Sequence, residues 1–66
     1  MELTVNGTGR TVPGGVTVAD LVREVTPQHR GVAVAVNGEV VPRAAWPAAT
    51  LRDGDRVEVL TAAQGG

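Results

Sequence analysis

The sequence predicts a two-layer α+β domain, a mixed β-sheet carrying one main helix on one face in the order β-β-α-β-β-β. Three observations carry that expectation. Apolar and polar residues alternate with period two in several short runs. Asn-Gly and Asp-Gly pairs separate those runs as tight turns. A single stretch after Gly15 switches to the spacing of a helix.

The opening Glu2-Leu3-Thr4-Val5 alternates as a half-buried strand does, and Asn6-Gly7 follows as a hairpin signal. Arg10-Thr11-Val12 is expected to pair back as the second strand, which Pro13-Gly14-Gly15 ends. Val18, Leu21, Val22 and Val25 then fall at i, i+3, i+4 and i+7, one apolar helix face, with Thr17 as N-cap and Asp20 completing a capping-box-like start. Thr26-Pro27 closes the helix, because proline disfavours α geometry in the residue before it. Three valines on that face lower its propensity, so the helix depends on the sheet beneath it. Val32, Val34 and Val36 share one face of the next strand and Ala33 and Ala35 the other, as suits a strand near the sheet centre. Asn37-Gly38 turns the chain into Glu39-Val40-Val41, which Pro42 stops, and Arg43 to Leu51 reads as a helical turn plus loop. Asp53-Gly54-Asp55 makes a tight turn into the last strand, Arg56 to Leu60. The expected core is Leu3, Val5, Val12, Val18, Leu21, Val22, Val25, Val34, Val36, Leu51, Val57 and Val59. Thr4, Ala33, Ala35, Glu58 and Leu60 belong to the opposite sheet face. The division expected is a folded domain over 1–61 and a flexible tail over 62–66.

Composition limits the function classes. A chain of 66 residues buries only about 60% of its unfolded surface, which leaves a thin core and little room for an enclosed active site. There is no cysteine, and His29 is the single histidine, so disulfides, thiolate metal sites and His-based metal sites are not expected. The net charge of −1 has both signs scattered, without the basic footprint of a nucleic-acid binder. Val32 to Val36, the longest apolar run, is too short to span a bilayer, and Met1 leads directly into a strand pattern, so a cytoplasmic protein without a membrane partner is expected. All six basic residues are arginine. Apart from the N-terminus, the chain therefore has no amine that an isopeptide bond would target.

Catalytic constellations are scarce. Gly7-Thr8-Gly9 lacks the third glycine of a phosphate cradle and joins strand to strand, which makes it a hairpin turn. Asp53 and Asp55 lack the further ligands of a calcium loop and are accounted for by their turn. His29 is read as a surface histidine, and Trp46, the only aromatic, as a partial lid over one end of the core.

The C-terminal stretch Thr61-Ala62-Ala63-Gln64-Gly65-Gly66 is different. Six residues extend up to roughly 20 Å from a folded body. Ala62, Ala63, Gly65 and Gly66 have almost no side chain, so the segment fits a narrow tunnel in another protein. It ends in an α-carboxylate, ionised at neutral pH because its reference pKa is about 3.5. A carboxylate is a poor electrophile until it is activated. Conversion to an acyl-adenylate supplies the leaving group, and a glycine carbonyl is open to attack because no β-carbon obstructs it. With the carboxylate on the last residue, no protease is expected to be needed to expose it.

Order of elements and tail together resemble the ThiS family, the sulfur carrier proteins of thiamine biosynthesis, which have the ubiquitin-like β-grasp fold. The resemblance covers essentially the whole chain. It is most specific in "AVAVNGEVVPRAAW", Ala33 to Trp46, where a strand and Asn turn run into Val-Pro-Arg-x-x-Trp. "LRDGDRVEVL", Leu51 to Leu60, and the terminal Gly-Gly match as well. Gly-Gly is shared with ubiquitin and with the small subunit of molybdopterin synthase, whereas the Val-Pro-Arg-x-x-Trp stretch favours the thiamine carrier.

What the resemblance implies is a protein co-substrate on which partner enzymes act. A ubiquitin-activating-like adenylating enzyme would spend ATP to adenylate Gly66. Sulfur passed on as persulfide from a cysteine desulfurase would replace AMP, leaving a thiocarboxylate, a 1-thioglycine, at Gly66 with no bound cofactor. Thiazole synthase would take sulfur from it. The family often keeps bulkier apolar residues before the Gly-Gly, where this chain has Thr61-Ala62-Ala63-Gln64. Docking is therefore expected to rest more on the sheet face, with Ala33, Ala35 and Leu60 as a small apolar patch flanked by Arg56 and Glu58. A sulfur carrier for molybdopterin or cysteine synthesis, a ubiquitin-like modifier and a binding module with an incidental tail are the other readings of the same residues.

Overall fold

In the computed structural model, residues 1–28 and 30–62 are described. His29, read above as a surface histidine, and the tail residues Ala63, Gln64, Gly65 and Gly66 lie outside the described residues. The elements are β1 (Glu2–Val5), β2 (Thr8–Thr11), α1 (Val18–Val25), β3 (Val32–Val36), β4 (Glu39–Val40), a 3₁₀ segment over Arg43–Ala48 and β5 (Arg56–Thr61).

The helix begins where its cap chemistry allows. The Asp20 N–H donates to Thr17 Oγ1 (3.2 Å) and the Thr17 N–H to Asp20 Oδ2 (3.0 Å), so two backbone donors of the first turn are satisfied reciprocally. The Thr17 backbone donor holds the Asp20 carboxyl below its ordinary value, helped by the Thr17 hydroxyl and the Arg23 guanidinium. At the other end Thr26 leaves helical geometry for extended backbone ahead of Pro27, while its N–H still reaches Val22 O at 3.0 Å. Val18, Leu21 and Val22 point into the core.

β2 starts earlier than its sequence suggests. Asn6 and Gly7 both sit at positive φ, 50° and 82°, the requirement of a two-residue I′ turn. Pairing therefore resumes at once, Val5 opposite Thr8, and the ladder takes in Thr8 and Gly9 instead of beginning at Arg10. Val12, expected inside β2, lies just beyond it, although its N–H donates to Met1 O at 2.9 Å. β4 is shorter than expected: Val41 still donates to Val34 O (2.8 Å), and the ladder stops at Pro42, which has no N–H to give.

The strand order is β2-β1-β5-β3-β4. β1 and β5 run parallel, and the other neighbours are antiparallel. β3 is internal, between β5 and β4, but the central strand is β5. The core combines Leu3, Val5, Val12, Val18, Leu21, Val22, Val34, Leu51, Val57 and Val59 with Trp46. Val25 and Val36, expected within it, are only partly buried against its margin, because each sits at the last position of its element. Trp46 does close one end of the core: its Nε1–H donates to Val41 O (2.9 Å), and the Arg43 guanidinium stacks 5.2 Å from the ring centroid.

Leu21 is 2% exposed, and Leu21→Ala is expected to lower the unfolding free energy by about 2–5 kcal/mol in denaturant titration, a large fraction of a small domain's stability. The Asp20 shift gives a pH dependence. Because the folded-state value is depressed, its contribution is present above the ordinary aspartate value and is lost as pH falls through the lower folded value. Acid titration of stability for Asp20→Asn against the parent should show the difference between them shrinking below about pH 4.

Candidate functional site

β5 delivers the chain to its C-terminal residues, and it is the most thoroughly tethered strand of the sheet. At its start the Asp-Gly-Asp turn is bound to β1 and to its own loop: Glu2 N–H donates to Asp53 Oδ1 (2.7 Å), Gly54 N–H to Glu2 O (2.7 Å), and Arg52 N–H to Asp55 Oδ2 (2.8 Å). The two aspartates thus serve the turn, as their spacing indicates.

Two asparagines clamp β5 from opposite sides. Asn6 donates its N–H to Val57 O (2.9 Å), and its side-chain amide then exchanges two bonds with the Val59 backbone, Nδ2 to Val59 O (3.1 Å) and Val59 N–H to Oδ1 (2.8 Å). Asn37 donates its N–H to Arg56 O (2.7 Å), accepts the Arg56 N–H at Oδ1 (2.9 Å) and donates from Nδ2 to Asp55 Oδ1 (2.9 Å). Each therefore prolongs the pairing while its own main chain turns away at positive φ. Read from the sequence alone, both are only turn formers; their second role lies 53 and 19 positions away along the chain.

At the far end β3 and β5 stay in register up to Val32 opposite Thr61, and one further bond follows, from Ala62 N–H to Gly31 O at 2.6 Å. Ala62, assigned above to the tail, thus bonds to Gly31 and is the last ladder-bonded residue among the described residues.

The predicted docking residues come together on one face of the sheet. Leu60 stands opposite Ala33 and Glu58 opposite Ala35, while Arg56 is paired with Thr4 on the β1 side. Leu60 is 67% exposed. The sequence reading left out Val40, which stands opposite Ala35 on the same face and is 77% exposed. Its signal was the alternation in β4, since Val41 turns toward the core and leaves Val40 outward. Leu60, Ala33, Ala35 and Val40 form a continuous apolar band that crosses three strands, with Arg56 and Glu58 beside it.

Among the described residues no three His, Asp or Glu side chains gather as a metal site. A recess of about 520 Å³ lies between α1 and the 3₁₀ segment, and among the described residues its ionisable lining is Arg23 and Arg43. No helix among the described residues is long and apolar enough to cross a membrane.

A mixed sheet crossed by one helix, with the C-terminal strand at its centre, defines the ubiquitin-like β-grasp class. The ThiS family model matches residues 3–66. The sulfur carrier protein ThiS of Escherichia coli K12 is 29% identical over 66 residues, with both chains covered in full. A thiazole synthase of Paramagnetospirillum magneticum is 35% identical over 66 residues, and the chain spans 20% of that protein's length. The crystal structure of the thiamine biosynthesis protein ThiS from Geobacter metallireducens superposes with a TM-score of 0.84 at 42% identity, covering 100% of both chains. Its solution structure gives 0.82 at 42% identity, covering 88% of that chain. The chain belongs to the ThiS family, and its function is that of a sulfur carrier in thiamine biosynthesis.

Asn6→Gly keeps the positive φ of the turn and removes only the side-chain amide, which leaves the Val59 backbone without that partner. Stability is expected to fall by about 1 kcal/mol in chemical denaturation, with earlier amide exchange at Val59 than at Val34.

Proposed function

We propose that the sulfur is carried as a thiocarboxylate on Gly66. The observation that supports this most directly is that Ala62, bonded to Gly31 just beyond the firmly tethered β5, precedes Gly65 and Gly66 by three and four residues in the sequence. A carboxylate oxygen of Gly66 attacks the α-phosphate of ATP in an adenylating partner, and pyrophosphate leaves. The terminal sulfur of a persulfide, supplied by a cysteine desulfurase, attacks the acyl-adenylate carbonyl and displaces AMP. A thiol then cleaves the resulting acyl disulfide, releasing the thiocarboxylate as the thiol is oxidised to a disulfide. The carrier contributes no general acid or base to these steps. It contributes an unobstructed glycine carbonyl and a small-residue segment, Ala63 and Gln64 leading to Gly65, that enters a narrow channel.

The acceptor in this reading is thiazole synthase, and the reaction belongs to the cytoplasm, where ATP is supplied. Support for the acceptor comes from the Paramagnetospirillum magneticum thiazole synthase, in which a fifth of the length is similar to this whole chain. Docking uses the outer sheet face: Leu60, Ala33 and Ala35, extended by Val40, with Arg56 and Glu58 giving orientation. An exposed apolar patch with a charged rim suits an encounter that must form with two different enzymes and release after each.

Incubation with ATP, a sulfur source and the adenylating enzyme should replace one carboxylate oxygen by sulfur, read by intact-mass spectrometry and localised to Gly66 by fragmentation. One residue appended after Gly66 should abolish the change. A Gly66-linked adduct with another protein would instead identify a modifier. Leu60→Glu should raise KM for the carrier in adenylation about tenfold, with the thermal midpoint little changed, as for an exposed contact residue; an unchanged KM would remove the sheet face from docking.

A further inference from the structure

The proposed chemistry requires the sheet face to dock while the carboxylate reaches a fixed point in the partner, so the place where the chain leaves the sheet sets a length. Among the described residues, the chain's last anchor to the sheet is the contact of Ala62 with Gly31. Gly31 lies at φ +68°, and its carbonyl accepts a bond from Ala62 N–H. A β-carbon at Gly31 would stand 2.9 Å from the Ala62 Cβ, closer than side chains tolerate, with the Ala62 N at 3.7 Å and Cα at 3.9 Å. At the other described glycines, Gly7, Gly9, Gly14, Gly15, Gly38 and Gly54, the corresponding space is open. Turn geometry alone therefore explains those with positive φ, whereas Gly31 also has to be empty for Ala62 to seat against β3.

We infer that Gly31 is a positioning residue for sulfur loading: by admitting Ala62 to the ladder it fixes how many residues separate the sheet from the reactive carboxylate. This rests on Gly66 as the sulfur-carrying residue. From Ala62 to Gly66 is four residues, a reach of at most about 14 Å. Leu60, an exposed apolar residue of the docking face on β5, lies two positions before Ala62, so docking contact and carboxylate are ends of one ruler. Release of Ala62 would move the anchor back along the chain, and each added residue must be ordered when the partner binds, at about a tenfold loss in affinity per residue.

Gly31→Asn isolates the effect, because asparagine tolerates positive φ and the change chiefly presents a β-carbon to Ala62. In adenylation assays on the full chain, Gly31→Asn should raise KM for the carrier about tenfold and leave kcat near the parent value. Ala62 amide exchange should accelerate, and Gly31→Asn combined with Ala62→Gly, which removes the opposing carbon, should recover most of the lost KM. A lowered thermal midpoint with unchanged KM, or no recovery in the double variant, would overturn the inference. A second variant leaves Gly31 and Ala62 unchanged: one glycine inserted between Ala63 and Gln64 changes the count from four to five and should cost about tenfold in kcat/KM. An insertion that loads like the parent would also overturn it. Failure of the parent itself to load at Gly66 would overturn the Gly66 reading and this inference together, whereas a loading parent with an indifferent Gly31→Asn would overturn the inference alone.

Discussion

The structure depends on one pairing constraint: the last strand of the chain must enter the sheet between the first and the third. β5 lies parallel to β1 and antiparallel to β3, so it satisfies backbone donors and acceptors on both its edges. Without it β1-β2 and β3-β4 are two separate hairpins, each too small to be stable alone in water. With it, the inward side chains Leu3, Val5, Val34, Val57 and Val59 become one surface on which α1 lays Val18, Leu21 and Val22. In a domain of this size the margin is narrow, and that single insertion creates the core.

The devices that secure β5 are mostly polar and local in kind but long in range. Asn6 and Asn37 occupy equivalent positions in two hairpins, and each uses its side chain as a further rung of the ladder. Positive φ at these positions carries the main chain away, and the amide takes the place the backbone has vacated. Asp53 and Asp55 tie the turn before β5 to β1 and to Asn37. These bonds hold the strand's axial position, which hydrophobic packing alone sets weakly, since one valine replaces another along a strand of repeating apolar residues.

Function in this arrangement is a matter of presentation. The inner face of the sheet is committed to the core, and the outer face carries an apolar band across β4, β3 and β5 beside Arg56 and Glu58. Small residues in Ala33 and Ala35 keep that band flat, while Val40 and Leu60 give it two raised ends. β5, which bears Leu60, is followed in the sequence within five residues of its end by Gly66, so the proposed docking face and the proposed sulfur-carrying residue lie close along the chain.

Much of this was legible in the amino-acid order. Alternation identified β1, β3 and β5, the i, i+3, i+4, i+7 valine and leucine spacing identified α1, and Thr17 with Asp20 located its first turn, because each of these signals is carried by near neighbours. The terminal Gly-Gly and the stretch from Ala33 to Trp46 pointed to a sulfur carrier through their resemblance to the ThiS family. Hidden from it were the start of β2 at Thr8, the second role of Asn6 and Asn37, the place of Val40 beside Ala35, and the need for Gly31 to be empty where Ala62 arrives. The sequence by itself determined which segments are strands, helix and turns, and what chemistry the last residue offers, since those follow from local spacing and residue type. Only the tertiary structure decided that β5 is central and that Ala62 is held against Gly31, because residues 31 and 62, or 6 and 59, become neighbours solely through the register of the folded sheet.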